Sequence, residues 1–151
     1  MKVIFLDVDG VLSSMGPRGL CSQRLDMFAA LVKATGALVV LSSMWRHPHC
    51  REQLMRLRRE LYKRGVELFD STPVLNELIG TGLLVKGTQR GDEIQTWLNQ
   101  YRRGPEKVEA FVILDDDPND EMGRLKPHLV KCDGYKGLTQ IECDEIKKRL
   151  S

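Results

Sequence analysis

The stretch VIFLDVDGVL, residues 3–12, decides how the rest of the chain is read. Four apolar residues in a row fit a strand buried on both faces, as in a parallel sheet covered by helices. The run ends in Asp7 and Asp9, two carboxylates separated by a single residue. Like charges that close at the rim of a core are costly unless a cation or a substrate offsets them. Gly10 follows at once and lets the backbone turn sharply away. Outward from this strand, short apolar runs alternate with helical patterns. Strands are expected at Lys2–Leu6, Leu38–Leu41, Val66–Phe69, Ala110–Leu114 and Leu129–Cys132, the third being the weakest. Helices are expected over Gln23–Thr35, capped by Ser22 and stopped at Gly36, and over Pro48–Arg64, stopped at Gly65. A short helical turn follows Pro73. A further helix begins in DEIQTWLNQYRR, with Ile94, Trp97, Leu98 and Tyr101 on one stripe, and the last starts at Thr139 with Glu142 in a capping-box pattern. The order β-α-β-α-β-α-β-β-α predicts an α/β fold, a three-layer, doubly wound parallel sheet in a single domain spanning residues 1–151.

Composition sets the outer bounds. The 151 residues are 42% hydrophobic and 29% charged, ordinary for a globular protein long enough to bury a core without staples. A net charge of +2 does not by itself argue for nucleic acid. Cys21, Cys50, Cys132 and Cys143 are scattered, which favours a reducing, cytoplasmic setting over a disulfide framework. The first apolar run is broken too early for a signal peptide, and no stretch approaches the ~20 apolar residues of a membrane span.

In open parallel sheets, ligands bind beyond the carboxyl ends of the strands, where the strand order reverses. Here the first strand ends in Asp7 and Asp9, the second in Ser42 and Ser43, and the fourth in Asp115, Asp116 and Asp117. Any one of these acids or hydroxyls is an ordinary turn residue; together, at one rim, they make a site. Clustered carboxylates suit a hard cation, and oxygen-only ligation suits Mg²⁺. Asp7 is then placed to attack phosphorus in line and form an aspartyl-phosphate. Asp9 is placed to protonate the leaving oxygen and later to activate water. The hydroxyl of Ser42 and a cation from a later loop would hold the remaining phosphate oxygens.

FLDVDGVL resembles the first motif of the haloacid dehalogenase (HAD) superfamily of phosphohydrolases. VVLSS is similar to its second motif and VILDDDPND to its fourth, and the likeness covers almost the whole chain. A finer similarity lies in LSSMWR, RGDEIQTWL, ILDDD and GLT, which resemble the HAD domains of Swiss Army Knife RNA repair proteins. The resemblance implies Asp7 as nucleophile, Asp9 as acid/base with its main-chain carbonyl on Mg²⁺, and Ser42 on the transferring phosphoryl group. It implies Asp116 as the metal-binding acid of the fourth motif, with Asp115 as the other candidate and Asp120 as their supporting partner. Its third motif needs a Lys or Arg ahead of the fourth strand. Lys86 and Arg90 both qualify, and Arg90 stands at a helix start, where free N–H groups also favour phosphate. Val11 occupies a position where the superfamily often has Thr.

Other residues carry two readings each. Ser43 and Arg46 are candidate substrate ligands, Arg46 as a bidentate phosphate clamp or as a partner of the rim acids. Trp45 is a core residue or a stacking surface. The helix from Pro48 carries Arg51, Arg56, Arg58, Arg59, Lys63 and Arg64, which read as a solvated face with Glu52–Arg56 and Glu60–Arg64 pairs or as a path for a nucleic-acid backbone. His47, His49 and Cys50 lack the second ligand pair a structural zinc needs. The gaps between motifs leave no room for a cap domain, so the site is expected to be open. An open site suits a terminal phosphate on a nucleotide or nucleic acid, with sugar phosphates and phosphoproteins as alternatives. Either a monomer or a small homo-oligomer is compatible with it. Three rival classes remain: a phosphate-binding module without turnover, a phosphorylated receiver domain, and a phosphotransferase. The receiver is disfavoured because the triple-acid run ends the fourth strand, whereas its acceptor should end the third.

Overall fold

A computed structural model describes residues 1–13, 19–75, 89–101 and 106–151. The strands are β1 (Lys2–Leu6), β2 (Leu38–Leu41), β3 (Leu68–Ser71), β4 (Ala110–Asp115) and β5 (Leu129–Lys131). The described α-helices are numbered α1 (Ser22–Thr35), α2 (Arg51–Lys63), α3 (Arg90–Asn99) and α4 (Gln140–Arg149). All strand pairings are parallel, in the order β3-β2-β1-β4-β5. The chain therefore winds one way from β1 to β3 and then crosses to the other side of β1, which puts the reversal between β1 and β4.

Alternation along β1 explains the layers. Ile4 and Leu6 face one core with Leu25, Phe28 and Leu31 of α1, Leu57 and Leu61 of α2 and Ile146 of α4. Val3 and Phe5 face the other, with Ile94, Trp97 and Leu98 of α3. Phe5 meets the Trp97 ring edge-on at 5.3 Å, and Tyr101 stacks on Trp97 at 4.3 Å, as the predicted stripe required. With both faces covered, β1 is apolar at every position from Val3 to Leu6 and buried throughout.

Several boundaries differ from the sequence reading. Cys21, not Ser22, precedes the first helical residue of α1, and the Ser22 hydroxyl instead accepts from Arg64. Pro48–Cys50 forms a separate 3₁₀ turn before α2 begins. The third strand lies two residues later than expected, at the sheet edge, where its exposure left little hydrophobic pattern to read. The Thr139 hydroxyl turns to the Glu142 carboxylate, so the residues of the expected capping box meet each other and not the free amides. The turn expected after Pro73, most of the loop that follows and Lys86 lie outside the described residues. Residues 7–21 join β1 to α1 and residues 72–89 join β3 to α3. Both connections are far shorter than a domain. No helix among the described residues is long and apolar enough to cross a membrane.

Candidate active site

The parallel ladder continues one residue beyond β1, β2 and β5. Asp7 N–H donates to the Leu114 carbonyl at 3.0 Å, Ser42 N–H to Leu6 at 2.8 Å, and Cys132 N–H to Asp115 at 3.0 Å. Because Leu6 is in register with both Leu41 and Leu114, the next residues, Asp7, Ser42 and Asp115, stand side by side at the carboxyl edge. Register thus turns three sequence-distant strand ends into one site.

After Asp7 the chain makes a tight turn in which the Val8 carbonyl accepts from the amides of Val11, Leu12 and Ser13. Val8, Val11 and Leu12 are fully buried and pin this turn to the core. Val11 therefore serves packing, and its carbonyl accepts from Leu138 N–H. Gly10 has φ +78°, and a Cβ there would lie 2.8 Å from Cγ of Asp116 and nearer still to its carboxylate. Glycine at this position lets the first loop and the acid after β4 come together. Gly10→Ala should push Asp116 aside and cost about 1–2 kcal/mol for the left-handed backbone. A Mg²⁺ titration followed by thermal melting should show affinity weakened by roughly 10-fold, about 1.4 kcal/mol. An unchanged titration would mean that Asp116 is not needed for the cation.

Asp7, Asp115 and Asp116 each present a carboxylate oxygen within 4.8 Å of the others. Asp7 and Asp115 are buried, and their surroundings favour the protonated form. Burial raises the Asp7 carboxyl well above its ordinary value, Asp115 adds repulsion, and the Arg90 guanidinium opposes both. Burial likewise pushes Asp115 up to about 7, against a hydrogen bond from Asp117 N–H and the charge of Arg90. Three converging oxygen donors, two of them buried at a cost, fit a hard divalent cation such as Mg²⁺.

Two polar groups at the same edge lack partners among the described residues: the buried Ser42 hydroxyl and Nη1 of Arg90. Buried polar atoms in native proteins are nearly always satisfied, so an orphaned hydroxyl and guanidinium nitrogen beside an acid cluster mark a place for an oxygen-rich ligand. Arg90 reaches this position because Gly91 allows close packing. A Cβ at Gly91 would lie 2.6 Å from the Met122 carbonyl, and Gly91 N–H donates to the Glu121 carbonyl at 3.0 Å. The start of α3 is thereby seated against the loop that follows β4.

Asp9 stands apart from the three clustered carboxylates. Its side chain is exposed and is oriented by Trp45, whose Nε1–H lies 3.2 Å from both oxygens, and by the Ser13 hydroxyl at 3.2 Å. Trp45 is buried, with its apolar body in the core and its polar edge on Asp9. Neither reading of Trp45 from sequence anticipated that role; the pair is 36 residues apart, and only the fold brings it together.

The remaining expectations need correction. Ser43 is fully buried and its hydroxyl accepts from Trp45 N–H, capping the 3₁₀ turn Met44–Arg46. Arg46 is also part of the scaffold. Its guanidinium donates to the carbonyls of Ser43, Thr72 and Pro73 and to the Thr72 hydroxyl, and pairs with Glu93 at 3.0 Å. Both side chains of that pair are nearly inaccessible, at 4% and 7% exposure, so Arg46 is not a free phosphate clamp. Asp120 points to Lys126 at the surface, 3.0 Å away. The support expected from Asp120 comes instead from Asp117, which is buried at φ +37°. Its N–H donates to Asp115 at 2.8 Å, and its carboxylate accepts from Glu121 N–H at 2.8 Å.

A parallel α/β sheet with an aspartate pair after its first strand, a hydroxyl after its second and paired acids after its fourth has the architecture of a HAD-type hydrolase. The match to the family model described as the HAD domain in Swiss Army Knife RNA repair proteins runs over residues 3–143, and the chain belongs to that family. Searches among curated proteins and among solved structures returned no match. Family membership points to phosphatase-type chemistry on phosphate esters or nucleic acids, and the carboxylate cluster could hold a metal.

Proposed function

We propose that the protein is a Mg²⁺-dependent phosphomonoesterase, working as one HAD-type domain and acting on the terminal phosphate of a nucleotide or nucleic acid. The observation that carries this reading is the convergence of Asp7, Asp115 and Asp116 at one strand edge with the unpartnered Ser42 hydroxyl and Nη1 of Arg90. Asp7, Asp115, Asp116 and the main-chain carbonyl of Asp9 would hold the cation, which supplies charge neutralisation and polarises a phosphoryl oxygen. Ser42 and Arg90 bind the other phosphoryl oxygens and favour the charge that builds on them in the transition state. An oxygen of Asp7 attacks phosphorus, the P–O bond to the leaving group breaks, and Asp9 passes its proton to the departing oxygen. Asp9, now a carboxylate, takes a proton from water as that water attacks the phosphoryl group. The bond to Asp7 breaks, inorganic phosphate leaves, and Asp7 and Asp9 return to their starting states. Trp45 and Ser13 orient Asp9 for both proton transfers.

Connections as short as residues 7–21 and 72–89 leave no room for a cap domain and favour a large substrate that enters end-on. Phosphate release from nucleoside monophosphates, end-phosphorylated RNA and DNA oligonucleotides and sugar phosphates tests the reading. Release that requires Mg²⁺, stops with EDTA and favours phosphorylated ends is the expected result. Preference for sugar phosphates would overturn the substrate assignment, and metal-independent release would overturn the mechanism.

A further inference from the structure

The cations of α2 are not neutralised in the way a merely solvated face would be. Glu60 pairs with Lys63 at 3.2 Å and with Arg64 at 2.9 Å, and Arg64 also reaches Asp26. Arg51, Arg56, Arg58 and Arg59 are exposed and make no ion pair among the described residues; the Glu52–Arg56 pair expected from spacing is absent there. The helix carries five cations against two carboxylates, whereas the whole chain carries a net +2, so the positive excess is concentrated on this element.

Its pattern is as informative as its charge. Arg51, Met55, Arg58 and Tyr62 recur at i, i+4, i+7 and i+11 and share one face, with Arg59 beside them. Met55 and Tyr62 are among the most exposed apolar side chains, at 53% and 69%, and Met44 at the site's rim is exposed at 56%. Arginines interleaved with exposed apolar side chains match the two faces of a single strand, phosphates for the cations and bases for the apolar surfaces. The buried side of the helix is supplied by Leu57 and Leu61. None of the exposed residues is used by the core.

The position of the helix fixes where such a strand would lead. Only residues 43–50, with the turns Met44–Arg46 and Pro48–Cys50, separate α2 from Ser42, so its first turn lies near the carboxyl edge and its axis runs away from it. Arg56 flanks the loop that carries Asp9, since a Cβ on Gly19 would lie 3.7 Å from its Nη1. At ~1.5 Å per residue α2 is ~20 Å long, the axial rise of about six stacked nucleotides at ~3.4 Å each. Resting on the reading that the site takes a terminal phosphate, we propose that α2 is the track for the adjoining single-stranded polynucleotide, with Arg51, Arg58 and Arg59 on its phosphates and Tyr62 stacked on a base.

Binding tests the track separately from the chemistry. A fluorescent single-stranded octanucleotide with a terminal phosphate, followed by anisotropy in EDTA, should bind with a salt slope that falls by about 1.4 in the Arg58→Ala/Arg59→Ala double variant. Affinity should fall at least 10-fold in that variant and return in Arg58→Lys/Arg59→Lys, while melting temperatures stay level. Tyr62→Ala should weaken the octanucleotide and leave a dinucleotide unaffected. With Mg²⁺, the octanucleotide-to-mononucleotide ratio of kcat/KM should drop by the same factor in the alanine variant. Unaltered octanucleotide binding in that variant overturns the track, even if phosphate is released normally. Arginine-dependent binding without release of phosphate from any ester upholds the track and overturns the phosphatase reading. Binding of a duplex more tightly than of the single strand would also overturn the proposal.

Discussion

Asp7→Asn should abolish phosphate release by at least ~10³-fold and, in the same molecule, raise the melting temperature of the metal-free protein. The first effect follows from the proposed role, because an amide is not a nucleophile for phosphorus. The second follows from the electrostatics of the site. Burial raises the pKa of Asp7 above its value in the unfolded chain, with Asp115 adding to the rise, and Asp115 is itself pushed up to about 7. A carboxyl whose folded pKa is raised contributes its full stability below the unfolded pKa, near pH 4, and loses it as pH climbs through the folded pKa. The metal-free protein should therefore weaken as pH rises from about 4 through about 7, where the Asp115 carboxyl gives up its proton. Asn at position 7 removes one of the two buried charges and the repulsion it exerts on Asp115. A higher melting temperature than the wild type is expected at pH 8 and almost no difference at pH 4. Added Mg²⁺ should stabilise the wild type more at pH 8 than at pH 5, because the ligands must give up their protons to bind it. Melting curves across pH, with and without Mg²⁺, check all of this at once. A variant that still released phosphate would remove Asp7 from the chemistry; one with no gain at pH 8 would mean that the cluster is not strained without its cation.

The strained cluster is also the part of the protein that the sequence announced most clearly. Apolar runs and the acids or hydroxyls that end them name strands β1, β2 and β4, and the parallel register carries Asp7, Ser42 and Asp115 to one edge without further information. Contacts across chain distance are a different matter. That Trp45 holds Asp9, or that Gly91 seats Arg90 by admitting the Met122 carbonyl, depends on backbone geometry that no local pattern encodes. Ser43 and Arg46 read as ligands because they follow a strand end that bears the site. Residues beside a site are equally needed to build it, and side-chain type does not distinguish the two uses. Asp117 illustrates the converse: in sequence it is one more acid in a run, yet its left-handed backbone and two hydrogen bonds shape the loop after β4.

The Arg46–Glu93 pair is where building and function meet, and its disruption should be the largest single loss of stability. Arg46 binds the ends of two segments, the turn after β2 through the Ser43 carbonyl and the stretch after β3 through Thr72 and Pro73. Glu93 adds α3 to this knot and accepts from Leu75 N–H with its other oxygen, at 3.0 Å. Glu93→Ala would leave the guanidinium buried with its charge uncompensated, which costs about 3–5 kcal/mol, or ~6–20 °C in melting temperature. Replacing both residues, as in Arg46→Met/Glu93→Leu, removes the stranded charge and should recover much of that loss, although the carbonyls of Thr72 and Pro73 lose their donor. The two variants should part company in function. Arg90 lies one helical turn before Glu93, so its guanidinium is held over the acid cluster only while the start of α3 is anchored. The stabilised double variant should therefore keep its fold yet show a raised KM and a lowered kcat, because Arg90 is no longer fixed relative to Ser42. If Glu93→Ala costs less than about 1 kcal/mol, the pair behaves as a solvated surface bridge and the start of α3 is held by Gly91 alone. If the double variant is as active as the wild type, the anchor has no part in placing Arg90, and close packing at Gly91 is sufficient to present the cation to the phosphate.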